Sequence, residues 1–338
     1  MKFAHVLNSA QFTLNELQYL FSLAEKIRKY NNNKAGLSYL RTLLPHKRAM
    51  LFFSQPSTRT FLSFLSACHI LGMQTCEIRD PNTSSEAKGE TIEDSLRTFS
   101  SYVDLIIMRS PTAGLCERLA ILLDNTKSSV PIINAGSGPD EHPTQALLDL
   151  YTLNRSFKDQ DGINGKTICM VGDLKRGRTV RSLSYLLTHF SNVKLIFCSP
   201  EPFKIADDLR LMLQKAHNIS FTETTNFMDS IGGANAIYMT RIQDEYDSLD
   251  PSLQKVDTSN YYLKAEHLQI LKADCKILHP MPRRQEIDHK IDQDPRATYW
   301  QQQRNGMWIR AGLIAILMGV DRQIYASHPA QMSKIYSE

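Results

Sequence analysis

Apolar runs of strand length alternate with helix-length periodic segments along most of this chain, and few architectures accept that alternation. In the first half the candidate strands are 49–53, 74–79, 103–108 and 130–134. In the second half they are 167–172, 193–198, 219–222, 235–239 and 275–278. Helical patterns fit between them, for example at 91–102, 114–124, 178–190 and 203–216. Short continuous apolar runs suit strands buried on both faces, and strand–helix alternation predicts parallel sheets covered by helices. At 338 residues the chain suggests about two domains, or one large one. The break falls in the polar stretch 154–166, which carries Gly162 and Gly165. The expectation is therefore an α/β fold of two doubly wound parallel-sheet domains joined by interdomain helices. The first would cover 1–150 and the second 151–304, with one joining helix near 143–154. The apolar segment 308–318 belongs to a C-terminal helix, about 305–325, expected to pack back onto the first domain.

Composition removes several function classes. The net charge is +4 with both signs interspersed, so no basic run marks a nucleic-acid surface, and the small excess suits an anionic small molecule equally well. The six cysteines form no C-x-x-C pair and several sit in apolar runs, the pattern of reduced thiols in a cytoplasmic protein. No apolar stretch near the N-terminus suggests a signal peptide, and none approaches the length of a membrane span. No H-E-x-x-H and no carboxylates at ligand spacing point to a metal.

Ligands of open α/β sheets lie beyond the carboxyl ends of the strands, and two such domains would leave a cleft. The polar motifs of this chain fall at those ends. After strand 49–53 come Gln55, Pro56, Ser57, Thr58, Arg59 and Thr60, followed by a helical pattern. The free N–H groups and positive dipole of that first turn suit a phosphate, and Arg59 adds a forked donor. The ordinary alternative is a helix capped by Ser57. Arg109 ends the strand 103–108, where a surface ion pair is the competing role. His142 and Gln145 share a face at the start of the joining helix, behind a Gly136–Gly138 turn; a capping or core histidine competes there. The segment from Gly172 to Thr179 is one letter from a Walker A loop, with Arg178 where lysine belongs, and it lacks the G-x-G-x-x-G fingerprint. What remains is a fork-shaped cation suited to a carboxylate. Arg241 and Gln243 repeat the theme after strand 235–239. Last, His279, Pro280, Met281, Pro282 and Arg283 form a stiff turn whose carbonyl oxygens are acceptors. Such an inventory binds anions and stabilises developing negative charge, and it contains no nucleophile elbow.

As a set and in this order, these motifs resemble the aspartate/ornithine carbamoyltransferase family, over about 49–319 of the chain. Within it the segments at 172–179 and 240–243 resemble the aspartate branch, and the His-Cys-Leu-Pro turn of the ornithine branch is missing. The resemblance implies a homotrimer with shared sites, no cofactor and no metal. It implies transfer of the carbamoyl group of carbamoyl phosphate to the α-amine of L-aspartate, an early step of pyrimidine biosynthesis. Carried over residue by residue, Ser57, Thr58, Arg59 and Thr60 hold the phosphate and Arg109 bridges phosphate and carbonyl oxygen. His142 and Thr60 polarise the carbonyl. Gln145 and the backbone at Pro280, Met281 and Pro282 hold the carbamoyl amino group. Arg178, Arg241 and Gln243 hold aspartate together with Lys88, which also counts with Arg59, Thr60, Arg109 and His142 among the catalytic residues. The segment 82–91 resembles a loop that enters the neighbouring subunit's site with Ser84 and Lys88; on sequence alone it reads as a solvated turn. A carbamoyltransferase for another amine and a non-catalytic ligand-binding member of the family stay open beside this expectation.

Five positions depart from the family pattern. Phe61 replaces an arginine and Leu65 a glutamate, so an apolar pair four residues apart on a helix would stand where a charged pair is usual. Gln55 replaces a glutamate and Tyr246 an arginine that help link the domains when closed. Ser110 stands where histidine is frequent.

Overall fold

The computed structural model describes residues 3–80, 88–138, 141–243 and 256–327. By its internal contacts the chain divides into two compact units, Met1–Thr144 with Arg304–Glu338, and Gln145–Gln303.

The sheet of the first unit has the order β2-β1-β3-β4, all parallel, with β1 Arg48–Phe53, β2 Gln74–Ile78, β3 Leu105–Ser110 and β4 Ile132–Ser137. Helices α1 Leu14–Asn31, α2 Lys34–Arg41, α3 Thr58–Ile70, α4 Ile92–Ser100 and α5 Leu115–Asp124 belong to the same unit. Met50, Phe52, Ile106, Met108, Leu119 and Ile132 build one core layer between sheet and helices. Near the carboxyl end of the chain come α10 Tyr299–Leu317 and α11 Asp321–Ala326. From Arg304 onward they count with this unit: Arg310 donates to Ser63 Oγ at 2.7 Å, and the Tyr19 hydroxyl donates to Asp321 at 2.6 Å.

The second unit holds a sheet of order β7-β6-β5-β8-β9, again all parallel. Its strands are β5 Thr167–Val171, β6 Val193–Cys198, β7 Ile219–Thr224, β8 Ala236–Met239 and β9 Lys276–Leu278. Helices α7 Arg178–Leu187, α8 Asp207–Lys215 and α9 Phe227–Gly232 accompany them. The division after Thr144 falls two residues into α6 Pro143–Ser156, and position 150 lies inside that helix. All six cysteines are free, and no described helix is long and apolar enough to cross a membrane.

The expected α/β class with parallel sheets is what the structure has. Strands β3 and β4 run beyond their expected ends, because pairing continues where apolar character stops. Arg109 thus lies within β3, opposite Phe53 of β1. The β3–β4 register shifts between Met108 and Ser110, and Gly136 there has φ 124°.

Each sheet changes winding direction once. In the first unit the chain goes from β1 outward to β2 and then returns to β3 on the other side of β1. In the second it goes from β5 outward through β6 and β7 and returns to β8. The carboxyl ends flanking such a reversal are where open sheets bind ligands.

Candidate functional site

In the first unit the reversal lies between β1 and β3, and the predicted phosphate residues are there. Ser57 is the N-cap of α3, with extended backbone, yet its side chain makes no capping hydrogen bond. The hydroxyl is therefore not spent on its own helix, which is the outcome the capping alternative forbids. Thr58 and Arg59 open the helix and are exposed, and Thr60 is buried. No acidic side chain sits in this first turn, so nothing local opposes an anion there. Arg109 is buried at 8% exposure and donates to the Ala135 carbonyl at 3.2 Å. His142 is buried, with Nε2 at 3.5 Å from Thr60 Oγ1. The two groups expected to polarise one carbonyl are thus neighbours. Ser110 is buried, and its hydroxyl accepts from the Thr112 N–H at 3.1 Å, a turn-making role in place of a histidine.

In the second unit the reversal lies between β5 and β8. Gly172 follows β5 with φ 117°, and a Cβ there would lie 2.3 Å from the Thr240 carbonyl oxygen. Only glycine lets these two chain segments come so close. Arg178 is half-buried at the first position of α7, and Arg241 and Gln243 follow β8, also half-buried. Beside them a pocket of ≈ 290 Å³ is lined by Gly172, Thr240, Ile242, Tyr262 and Arg284 among others.

A residue that sequence reasoning missed ties these segments together. Asp173 is fully buried and accepts from Arg176 Nε at 2.7 Å, from the Arg176 N–H at 3.1 Å and from the Gln243 N–H at 3.1 Å. Burial raises its carboxyl and the Arg176 donors and the Gln243 N–H offset part of the rise. The signal available in the sequence was an acid directly after a strand, beside glycine.

The turn at 279–282 is organised by a second such group. His279 is fully buried, and its Nδ1 accepts from the Met281 N–H at 2.7 Å. Nε2 must therefore carry the proton, and it donates to Glu286 Oε1 at 2.7 Å. Glu286 also accepts from the Arg284 N–H at 3.1 Å. Met281 is held at φ 59°, a conformation rare for a residue with a side chain, and the Met281–Pro282 peptide is cis. Pro280 and Met281 are half-buried and Pro282 is exposed. Gln145 is buried and donates from Nε2 to Asp149 Oδ1 at 2.8 Å.

Lys88 is exposed. Ser84 and Tyr246 lie outside the described residues. Gln55 is half-buried, and its Oε1 is buried with no hydrogen-bond partner among the described residues. Phe61 and Leu65 both lie on α3, four residues apart. Phe61 is buried against Phe53, ring centroids 5.4 Å apart, and the Arg79 guanidinium lies 4.2 Å from its centroid. Among the described residues no group of three His, Cys, Asp or Glu side chains is placed to hold a metal ion.

Two family models match this chain. One, described as the aspartate/ornithine carbamoyltransferase carbamoyl-P binding domain, covers residues 4–155, and the other, the Asp/Orn binding domain, covers 164–317. An aspartate carbamoyltransferase catalytic subunit of Clostridium botulinum is 39% identical over 95% of this chain and 99% of its own length. A chloroplastic aspartate carbamoyltransferase of Pisum sativum is 37% identical over 93% of this chain and 78% of its own. Among solved structures, aspartate transcarbamoylase of Trypanosoma cruzi in complex with carbamoyl phosphate and aspartate superposes with a TM-score of 0.84 at 31% identity, covering 93% of this chain and 97% of that one. The catalytic subunit of M. Jannaschii aspartate transcarbamoylase does so at 0.80 and 33%, covering 96% and 100%.

Proposed function

The chain belongs to the aspartate/ornithine carbamoyltransferase family, and on that premise we propose that it transfers the carbamoyl group of carbamoyl phosphate to the α-amine of L-aspartate. The products are N-carbamoyl-L-aspartate and phosphate, placing the reaction in pyrimidine biosynthesis. The observation that carries the choice of amine is the pair of forked cations, Arg178 and Arg241, on segments that Asp173 ties together. Two guanidinium groups match the two carboxylates of aspartate, whereas the ammonium-bearing side chain of ornithine would call for acids.

The first unit is the carbamoyl-phosphate domain in this reading and the second the aspartate domain. Ser57, Thr58, Arg59 and Thr60 take the phosphate at the uncapped start of α3. Arg109, Thr60 and His142 face the carbonyl oxygen, and Gln145 with the 280–282 backbone takes the amino group. The amine of aspartate attacks the carbamoyl carbon, and the C–N bond forms as the carbonyl electrons move onto oxygen. The oxyanion meets donors already in place, which lowers the barrier without reorganisation. The C–O bond to phosphate then breaks, and the amine proton leaves with the phosphate. Orientation and exclusion of water supply the rest. Six free cysteines support a reducing compartment such as the cytoplasm. A homotrimer in which Ser84 and Lys88 complete a neighbour's site completes the proposal.

The test is product formation from carbamoyl phosphate with L-aspartate and with L-ornithine in parallel. Carbamoyl-aspartate is expected, with no citrulline. Arg59→Ala removes a forked, charged phosphate contact of roughly 3–5 kcal/mol and should lower kcat/KM by about a hundredfold or more. Carbamoyl phosphate binding without transfer to either amine would sink the proposal in favour of a non-catalytic member.

A further inference from the structure

The second unit contains a buried carboxylate that the roles above leave without a task. Asp149 lies on α6, one turn after Gln145, and is fully buried. Three donors converge on it: Gln145 Nε2 at 2.8 Å and Gln302 Nε2 at 2.6 Å, both on Oδ1, and the Tyr238 hydroxyl at 2.6 Å on Oδ2. Gln302 in turn accepts on Oε1 from the His279 N–H at 2.8 Å. One carboxylate thus anchors both Gln145 and the turn that begins at His279.

An ionised carboxylate accepts and never donates, so an amide can meet it only with its nitrogen. Burial and the adjacent Asp149 charge push the Tyr238 hydroxyl well above its ordinary range, which keeps it a donor. With three donors around it, Asp149 dictates which way the Gln145 amide faces: nitrogen toward the carboxylate, oxygen on the other branch. An amide oxygen accepts from an N–H group and offers nothing to a methyl group. A reversed amide would present two donors and repel a ligand amino group.

We propose that Asp149 is the positioning residue that makes the site selective for an amino group on the transferred carbonyl, by locking the Gln145 amide with its oxygen as the ligand's acceptor and by tying the 280–282 turn to the same anchor through Gln302. The inference rests on the carbamoyl-transfer reading. The probe is acetyl phosphate, which carries a methyl where carbamoyl phosphate carries its amino group.

Binding of carbamoyl phosphate, acetyl phosphate and inorganic phosphate is measured by calorimetry on the full chain, so the result does not depend on turnover. Transfer to aspartate, assayed separately, reports on the functional reading by itself. The unsubstituted protein should prefer carbamoyl phosphate to acetyl phosphate. In Asp149→Asn the amide can turn over, and that preference should fall by roughly tenfold, the loss of one ligand hydrogen bond, while acetyl phosphate and phosphate bind as before. Equal weakening of all three ligands would reduce Asp149 to a structural residue and overturn the proposal, as would an unchanged preference or no preference in the unsubstituted protein. If Asp149→Asn does not fold, a crystal structure of the unsubstituted protein with carbamoyl phosphate decides. Gln145 should keep its nitrogen on Asp149 and place its oxygen within about 3.2 Å of the carbamoyl nitrogen. A Gln145 turned away from either partner would overturn the inference.

Discussion

Phe61 illustrates how a single residue can leave a family pattern without loosening a fold. Its ring is 2% exposed, edge-on to Phe53 and covered by the Arg79 guanidinium. Restoring arginine there would bury a charge beside another cation, so Phe61→Arg should destabilise the protein by about 3 kcal/mol in urea unfolding; an unchanged midpoint would show that the pocket has room for the charge. His279 makes a pH-dependent contribution of definite sign. Burial lowers its pKa from the ordinary value of about 6.5, and the nearby Arg283 and Arg241 charges act in the same direction. Below pH of about 6.5 the unfolded chain therefore binds a proton that the folded chain resists, and stability falls as pH falls. Protonation would also destroy the acceptor that Nδ1 offers to the Met281 N–H. For Glu286 burial raises the carboxyl, but the His279 hydrogen bond and backbone donors outweigh it and hold it below the usual carboxylate range, which extends the acid loss to lower pH. Urea unfolding of His279→Gln between pH 7 and 5.5 should show a shallower acid slope, by at most about 1.4 kcal/mol per pH unit; parallel slopes would remove His279 from the account. The motif residues were legible in the sequence because a polar side chain at the end of an apolar run stands out. Asp149 was not, since its partners Tyr238 and Gln302 are distant in sequence and follow no spacing rule. Asp173 showed only as an acid after a strand, its tie to the distant Gln243 hidden, and Glu286, seven residues from His279, stands in a turn with no pattern that pairs the two.

The start of α3 is where element and function meet. A serine that caps a helix contributes about 1 kcal/mol, and Ser57 makes no such bond. Ser57→Ala should therefore change stability by less than about 0.5 kcal/mol while raising the KM for carbamoyl phosphate. Thr13 gives the contrast: its hydroxyl accepts from the Glu16 N–H in a full capping box, so Thr13→Ala should lose about 1 kcal/mol and leave KM alone. Equal stability losses in the two variants would mean that the Ser57 hydroxyl does cap its helix. The nine strands of the described residues were legible because apolar runs of strand length have few other uses. Helices α1 and α2 were not singled out, although Thr13 and Glu16 followed by buried Leu17, Leu20, Phe21, Ala24 and Ile27 form a clear start signal and face. Strand ends were misplaced by two or three residues at β3 and β4, because Arg109 and Ser137 pair like strand residues without being apolar. The order of strands within each sheet came only with the structure, since alternation alone does not say on which side of β1 or β5 the chain returns.

At the scale of the whole molecule, the proposed assembly divides one site between two copies of the chain. The residues at the start of α3 and at the end of β3 lie together at one sheet reversal, whereas Lys88 is exposed in the segment that follows β2. A lysine that serves its own subunit's site would have to act from within the same chain. A lysine that serves a neighbour's site can be supplied by any chain that carries it. The two cases separate in a mixing experiment. Arg59→Ala removes the proposed phosphate fork and leaves Lys88, and Lys88→Ala does the reverse; each alone should lose most activity. If sites are shared in a trimer, dissociating and reassembling the two variants in equal amounts creates some sites that take Arg59 from one chain and Lys88 from another. Random assembly puts both native residues at about a quarter of the sites, so recovery should approach a quarter of unsubstituted activity, and size-exclusion with light scattering should give three chains per particle. Activity that stays at the level of the separate variants after confirmed reassembly, or a fully active monomer, would place Lys88 in its own subunit's chemistry and dismiss the shared site.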